Sequence, residues 1–188
     1  ELKKQKLKIF SNFTLPRQTN LEIDYEFTPF ERFKSTEMTG LWNWDININS
    51  RFNEAIMLGF GTGSGEKMVR YLDVPERGNG QYIYTWMQMK LTQKLSIQPM
   101  FSYSEMKTTK GDSTYYSGFT SRIRLNYQFS KALSFRVFAQ YSDFSNTFQF
   151  QPLISYRPSP FTIFYLGSTH GYDVTGNFEK TEESTRQI

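Results

Sequence analysis

Long stretches of this sequence alternate between apolar and polar residues with a period of two. Successive side chains of a β-strand point to opposite faces, so this period predicts strands with one apolar and one polar face. No segment carries a convincing helical period, and the chain is therefore expected to be all-β. The clearest segment is 119–129, whose apolar face consists of Phe119, Ile123, Leu125, Tyr127 and Phe129.

The alternation predicts ten antiparallel strands. Most of them reach the roughly 9–11 residues of a tilted transmembrane strand, whereas strands of soluble sandwiches are usually nearer about five or six residues. The predicted strands are 3–15, 19–28, 37–49, 53–63, 81–92, 95–107, 116–129, 133–142, 147–157 and 161–171.

The connections between these strands are predicted to alternate in length. Short turns on one side and longer loops on the other are typical of bacterial outer-membrane barrels. The sequence therefore predicts an antiparallel transmembrane β-barrel in the cell outer membrane, with membrane lipid as a partner. Short turns are expected at 16–17, 50–53, 93–94, 130–132 and 158–160, and the alternate connections at 29–36, 64–80, 108–115, 143–146 and 172–185.

The direction of the strands also predicts where the barrel continues. Residues 1–188 are expected to form one partial barrel domain, truncated at both ends. The tail Glu182–Ile188 resembles the start of an eleventh strand. Because single-chain bacterial barrels close with an even number of strands, at least one more strand is expected before Glu1.

The composition narrows the class of function. Aromatic residues reach 18% while hydrophobic residues total only 38%, which suits strands with one lipid face and one polar face. The absence of cysteine excludes disulfides and Cys nucleophiles, and the single histidine, His170, cannot build a catalytic triad or a typical zinc site. The 22 basic and 18 acidic residues are interspersed, which favours a mixed polar surface over a nucleic-acid partner. We expect no catalytic residue, metal or cofactor, and no enzyme activity.

Charged residues on the polar faces are predicted to point into the barrel lumen. One interpretation is cross-strand ion pairing that fills a small or plugged lumen. The other is an electropositive wall that guides anionic solutes. The carboxylates could also serve as acid and base, but the neighbouring lysines are expected to neutralise them. The predicted lumen-facing residues are Lys6, Lys8, Glu22, Asp24, Glu26, Arg122, Arg124 and Arg136.

Glycine and aromatic residues form two further patterns. Glycine recurs at every second position from Gly59 to Gly65, which places four glycines on one strand face and allows bending or close packing of a loop. Aromatic residues bunch near predicted strand ends, among them Tyr82 and Tyr84, and indicate interfacial girdles. A sugar-stacking platform could use Tyr71, Tyr115 and Tyr116.

Residues 125–172 resemble a known family. The stretches that carry the likeness are NYQFSK at 126–131, LSFRVFAQYS at 133–142, SYRPSPF at 155–161 and FYLGST at 164–169. They are similar to the C-terminal outer-membrane β-barrel that follows a carbohydrate-binding family-9-like domain in an uncharacterised family of Bacteroidota. The resemblance implies an envelope location, a final strand that begins at 185–188, and a link to glycans through an N-terminal domain with no counterpart here.

Three functions are compatible with these features. The first is a porin-like outer-membrane barrel for transport or anchoring, linked to carbohydrate binding or uptake. The second is a structural or accessory barrel subunit of a larger secretion, assembly or transport complex, with other envelope proteins as partners. The third is a soluble β-sandwich or lectin, which the strand lengths argue against. Nothing in the sequence separates the first two.

Overall fold

The computed structural model describes residues 3–109, 113–175 and 180–187, and all regular structure within them is β. The strand pairs whose register is defined are antiparallel. The predicted all-β antiparallel class is thus confirmed. The strands are β1 (Lys4–Leu15), β2 (Thr19–Phe33), β3 (Thr36–Arg51), β4 (Ile56–Val69), β5 (Glu76–Lys90), β6 (Leu95–Thr108), β7 (Thr114–Gln128), β8 (Leu133–Ser142), β9 (Thr147–Ser159), β10 (Thr162–Gly167), β11 (Thr169–Thr175) and β12 (Lys180–Gln187).

The strands form one sheet in chain order from β1 to β9, followed by β11 and β12, while β10 pairs with β9. Each of the ten predicted strands corresponds to one position of the sheet, and β12 confirms the predicted eleventh. Ile188 lies outside the described residues. Within the described part of the chain, β1 and β12 each pair with a single neighbour, so the sheet is open at these two strands.

The last long strand is interrupted at one residue. Gly167 lies opposite Leu153 and His170 lies opposite Phe150, so β10 and β11 follow β9 in the same register. Between them, the Ser168 N–H donates to the Pro152 carbonyl at 3.2 Å. Proline has no N–H to return the second hydrogen bond of this pair, which accounts for the break between β10 and β11.

The predicted alternation of short and long connections is wrong. β2 continues to Phe33 and meets β3 through the two-residue turn Lys34–Ser35, in which Lys34 has a φ of 53°. β5 begins at Glu76 rather than at 81, so that connection covers only 70–75. Polar residues at the strand ends do not indicate loops in this sheet, because they form cross-strand ion pairs such as Arg77 with Glu66, at 3.0 Å.

The chain divides into two compact units. The first comprises residues 1–51, 59–85 and 103–117, and the second comprises 52–58, 86–102 and 118–188. No helix in the described residues is long and apolar enough to cross a membrane.

Few side chains are buried in either unit. Among the described residues, the buried hydrophobic side chains of the first unit are Leu41, Met68, Val69 and Met106. That of the second unit is Val174. Within the described residues, no large side chain is less than 2% exposed. The described part of the sheet therefore has few buried apolar side chains.

Candidate functional site

The polar face of β1 and β2, in the first unit, is a row of ion pairs. Lys6 Nζ lies 2.7 Å from Glu26 Oε2, and Lys8 Nζ lies 2.8 Å from Asp24 Oδ1. Both contacts join neighbouring strands, as the ion-pairing interpretation predicts. Glu22, further along the face, accepts a hydrogen bond from Asn20 Nδ2 at 2.9 Å. The lysines engage two of the three carboxylates proposed as a possible acid–base set.

Glu31 is the most enclosed charged residue on this face, and the sequence analysis missed it. The register between β1 and β2 shifts between Gln5 and Leu7, which brings Glu31 opposite Lys4. Its carboxylate lies 2.7 Å from Lys4 Nζ and also contacts the Arg70 guanidinium, while the residue is 3% exposed. Burial opposes ionisation of Glu31, but the hydrogen bonds and charges of Lys4 and Arg70 outweigh it and lower its pKa.

Two tyrosines of β5 reach across the glycines of β4 to contact β3. Tyr82 Oη donates to Asp45 Oδ1 at 2.6 Å, and Tyr84 Oη donates to Asn47 Oδ1 at 2.8 Å. The two rings stack with centroids 6.2 Å apart. Both tyrosines therefore lie on the polar face, which corrects their assignment to an interfacial girdle.

The glycines of β4 make this crossing possible. A Cβ on Gly61 would collide with the Tyr84 ring, and a Cβ on Gly63 would lie 2.7 Å from the Tyr82 ring. The predicted close packing over the glycine face is correct, but the packing partners are tyrosine side chains rather than a loop.

A pocket of about 610 Å³ opens beside Glu31 in the first unit. Its lining includes four cationic and three anionic side chains, so its walls have no strong preference for anions or cations. Such a pocket can hydrogen-bond a neutral polar ligand. Its charged lining residues are Lys4, Lys6, Glu26, Glu31, Glu66, Lys67 and Arg70.

Two of the three tyrosines predicted for sugar stacking meet near this pocket. Tyr71 lines the pocket and is 65% exposed, and its ring lies perpendicular to that of Tyr115 at a centroid distance of 6.5 Å. Tyr115 Oη donates to Glu76 Oε2 at 2.6 Å, which raises the pKa of Tyr115 to about 12. Perpendicular rings do not form a continuous flat platform, so each could stack a sugar only by itself. Tyr116 lies next to Tyr115 in β7.

The second unit carries a different face, formed by β7 and β8. Its central cross-strand pairs are Arg122 with Gln140, Arg124 with Phe138, and Asn126 with Arg136. Each pair combines one arginine with an uncharged partner. We call Arg122, Arg124 and Arg136 the arginine face.

The contacts of the arginine face are neutral. Arg122 Nε donates to Gln140 Oε1 at 2.9 Å, and its guanidinium carbon lies 5.5 Å from the centroid of the Phe138 ring. Arg136 Nε donates to Asn126 Oδ1 at 3.2 Å. These bonds orient two guanidinium groups without cancelling their charge.

The single histidine, His170, lies apart from the faces described above. His170 lies within β11, where Nε2 is 2.9 Å from Ser168 Oγ and the ring stacks on Tyr172. Among the described residues there is no group of three His, Cys, Asp or Glu side chains that could hold a metal ion.

The comparisons do not extend these observations. No protein-family model, no curated protein and no solved structure matches the chain. The resemblance of residues 125–172 to a barrel that follows a carbohydrate-binding domain stays a prediction.

Proposed function

We propose that this chain is the membrane-embedded sheet of an outer-membrane β-barrel, with its polar faces toward a water-filled interior, and that it serves transport or anchoring. The observation that carries the proposal is an inverted amphipathicity. On β1 and β2, large apolar side chains stand exposed on one face, while charged side chains pair on the other.

The exposed apolar residues are too many for an isolated soluble sheet. Leu7 and Ile9 are each 59% exposed, and Ile23 and Tyr25 are 39% and 42% exposed. Burying one such side chain stabilises a protein by roughly 1.5–3 kcal/mol, so a sheet in water would cover this face. Lipid would supply that cover. The exposed apolar side chains extend along β1 from Leu7 to Leu15. Lys4, Glu31 and Arg70 lie beyond this apolar band.

Strand length supports the same proposal. β1 has 12 residues and β3 has 16. At about 3.3 Å per residue and a tilt of about 45°, even 12 residues rise about 28 Å, which exceeds the apolar band of about 25 Å of outer-membrane barrels. On the polar face of β1 and β2, Lys6 and Lys8 pair with carboxylates of the neighbouring strand, as the water-filled interior of a barrel permits.

The first experiment asks whether the chain folds in lipid. We expect that refolding into phospholipid vesicles produces strand-rich circular dichroism, protection from added protease, and faster migration of the unheated sample on a denaturing gel. Folding to a compact monomer in buffer without detergent or lipid would contradict the proposal.

A matched pair of variants locates the lipid face. Ile9→Lys places a charge on the exposed apolar face, and insertion should weaken by about 2–4 kcal/mol if the residue lies near the bilayer midplane. Asn12→Lys places the same charge on the polar face of the same strand and should insert as the unmodified chain does. Equal loss in both variants would contradict the assignment of the faces.

A further inference from the structure

The charges of the two units differ in kind. The cross-strand ion pairs Lys6–Glu26, Lys8–Asp24 and Arg77–Glu66 all lie in the first unit. In the second unit, the arginine face has amide and aromatic neighbours instead. The charges of these first-unit pairs therefore neutralise each other, whereas the arginine face keeps its positive charge.

The carboxylates of the second unit whose side chains the structure describes lie outside the two strands of the arginine face. Through residue 174 they are Glu54, in the connection before β4, Asp143, after β8, and Asp173, in β11. None of them occurs in β7 or β8. Uncompensated guanidinium groups on facing positions of two strands create a positive potential that attracts anions.

The geometry of the arginine face suits an oxyanion. Arg122 and Arg136 each donate a hydrogen bond from Nε to a side-chain amide oxygen. Their terminal guanidinium nitrogens make no hydrogen bond to a described residue. Those nitrogens can bind two oxygens of one phosphate or carboxylate group. Arg124 lies two positions along β7 from Arg122, or about 7 Å by strand geometry, and it is exposed.

Neighbouring pockets give an anion room at the face. Arg136 lines one pocket of about 550 Å³ together with Lys90, Lys94 and Asn126. It also lines a second pocket of about 410 Å³ with Phe138 and Gln151. Among the described lining residues there is no carboxylate, and Arg136 is the member of the arginine face that lines both pockets.

We propose that the arginine face is a binding site for small soluble oxyanions that carry a phosphate or carboxylate group. If the chain forms a channel, this site makes the pore anion-selective, and that part rests on the proposed barrel function. The site lies opposite the face of β7 that exposes Ile123, which favours a solute over the phosphate of a lipid headgroup.

The test titrates inorganic phosphate into the folded full chain by isothermal calorimetry. Each of the variants Arg122→Gln, Arg124→Gln and Arg136→Gln should weaken binding about tenfold, as expected for loss of a hydrogen bond to a charged group. The matched control Lys131→Gln removes one charge from the turn between β7 and β8 and should change binding less than about twofold. Unchanged binding in the three arginine variants would overturn the inference. Arg124→Gln keeps the test valid if the other two variants fold poorly, because the described residues give Arg124 no hydrogen bond or ion pair to lose.

Two further measurements separate the inference from the barrel proposal. In bilayers with a KCl gradient, the reversal potential should favour chloride, and the three combined substitutions should abolish that preference. A chain that folds in buffer and binds phosphate would contradict the barrel but support the site. Binding to phosphatidylglycerol vesicles without binding to free phosphate would place the arginines against lipid and overturn the inference.

Discussion

The Tyr84 hydroxyl reaches Asn47 by passing directly over Gly61. Its Oη lies 2.8 Å from Asn47 Oδ1, and the ring occupies the space that a Cβ on Gly61 would need. The side chain thus joins β5 to β3 across the intervening strand β4. This hydrogen bond adds to the backbone pairing of the three strands, and it requires a residue without a Cβ at position 61.

Gly61→Ala should therefore destabilise the sheet. The new methyl group displaces the Tyr84 ring and breaks its bond to Asn47, at a combined cost of about 2–4 kcal/mol in the free energy of unfolding. Urea unfolding followed by circular dichroism measures this loss. Gly80→Ala is the matched control, because its nearest neighbour is the flexible Met106 side chain at 3.1 Å. Comparable losses in both variants would contradict this explanation of the glycine row.

The hydrogen bonds of the Tyr82 and Tyr84 hydroxyls should contribute differently to stability. Tyr82 donates to a carboxylate and Tyr84 to an amide. We expect Tyr82→Phe to cost about 1.5–3 kcal/mol and Tyr84→Phe about 0.5–1.5 kcal/mol, since both variants keep the stacked rings. In an Asp45→Asn background the cost of Tyr82→Phe should fall to that of Tyr84→Phe. A larger loss for Tyr84→Phe in the unmodified chain would refute the ranking.

Removing the charge of Glu31 should destabilise the protein only above acidic pH. Its pKa is lower in the folded state than in the unfolded chain, so its stabilisation is present above the unfolded value of about 4.3 and is lost as the pH falls through the folded value. Glu31→Gln should cost about 1–2 kcal/mol at neutral pH, because Lys4 and Arg70 are themselves partly solvated.

The pH dependence of this loss distinguishes ion pairing from packing. Unfolding of both proteins near pH 7 and near pH 3 should show that the difference shrinks in acid. Glu37→Gln, which removes the exposed partner of Arg32, should cost less than about 1 kcal/mol. A Glu31→Gln deficit that stays constant with pH would show that shape rather than charge is responsible.

Glu76 should control the ionisation of Tyr115. The Glu76 carboxylate accepts a hydrogen bond from the Tyr115 hydroxyl and raises the pKa of Tyr115 to about 12. Glu76→Gln removes the negative charge, and the pKa of Tyr115 should fall toward about 10. Titration of the protein with ¹³Cζ-labelled tyrosine follows this residue by NMR. Asp73→Asn, in the adjacent connection, should leave the Tyr115 resonance unchanged at each pH.

The positions of the strands could be predicted because period-two alternation covers almost every strand. The strand ends could not, since residues such as Glu76 and Arg77 have loop-like polarity and stay extended only through partners on another strand. Loop lengths inferred from polarity were wrong for the same reason.

The polar-face contacts could be predicted only in part. The alternation predicted the ion pairs of Lys6 and Lys8 correctly. It did not predict those of Glu31, because the register shift between Gln5 and Leu7 changes which residues share a face. This shift leaves no simple trace in the sequence. The tyrosine crossing left a usable signal: Tyr82 and Tyr84 repeat the period-two spacing of Gly61 and Gly63.

Pro152 gives a single long strand two different stabilities. On the far side of the break at Ser168, β11 is hydrogen-bonded on both edges, by β9 and β12, whereas β10 has only β9 among the described residues. The break leaves the hairpin of β9 and β10 free to open without disturbing β11. Amide hydrogens of residues 162–167 should then exchange with solvent well before those of 169–175, so the strand frays from one end and stays closed at the other.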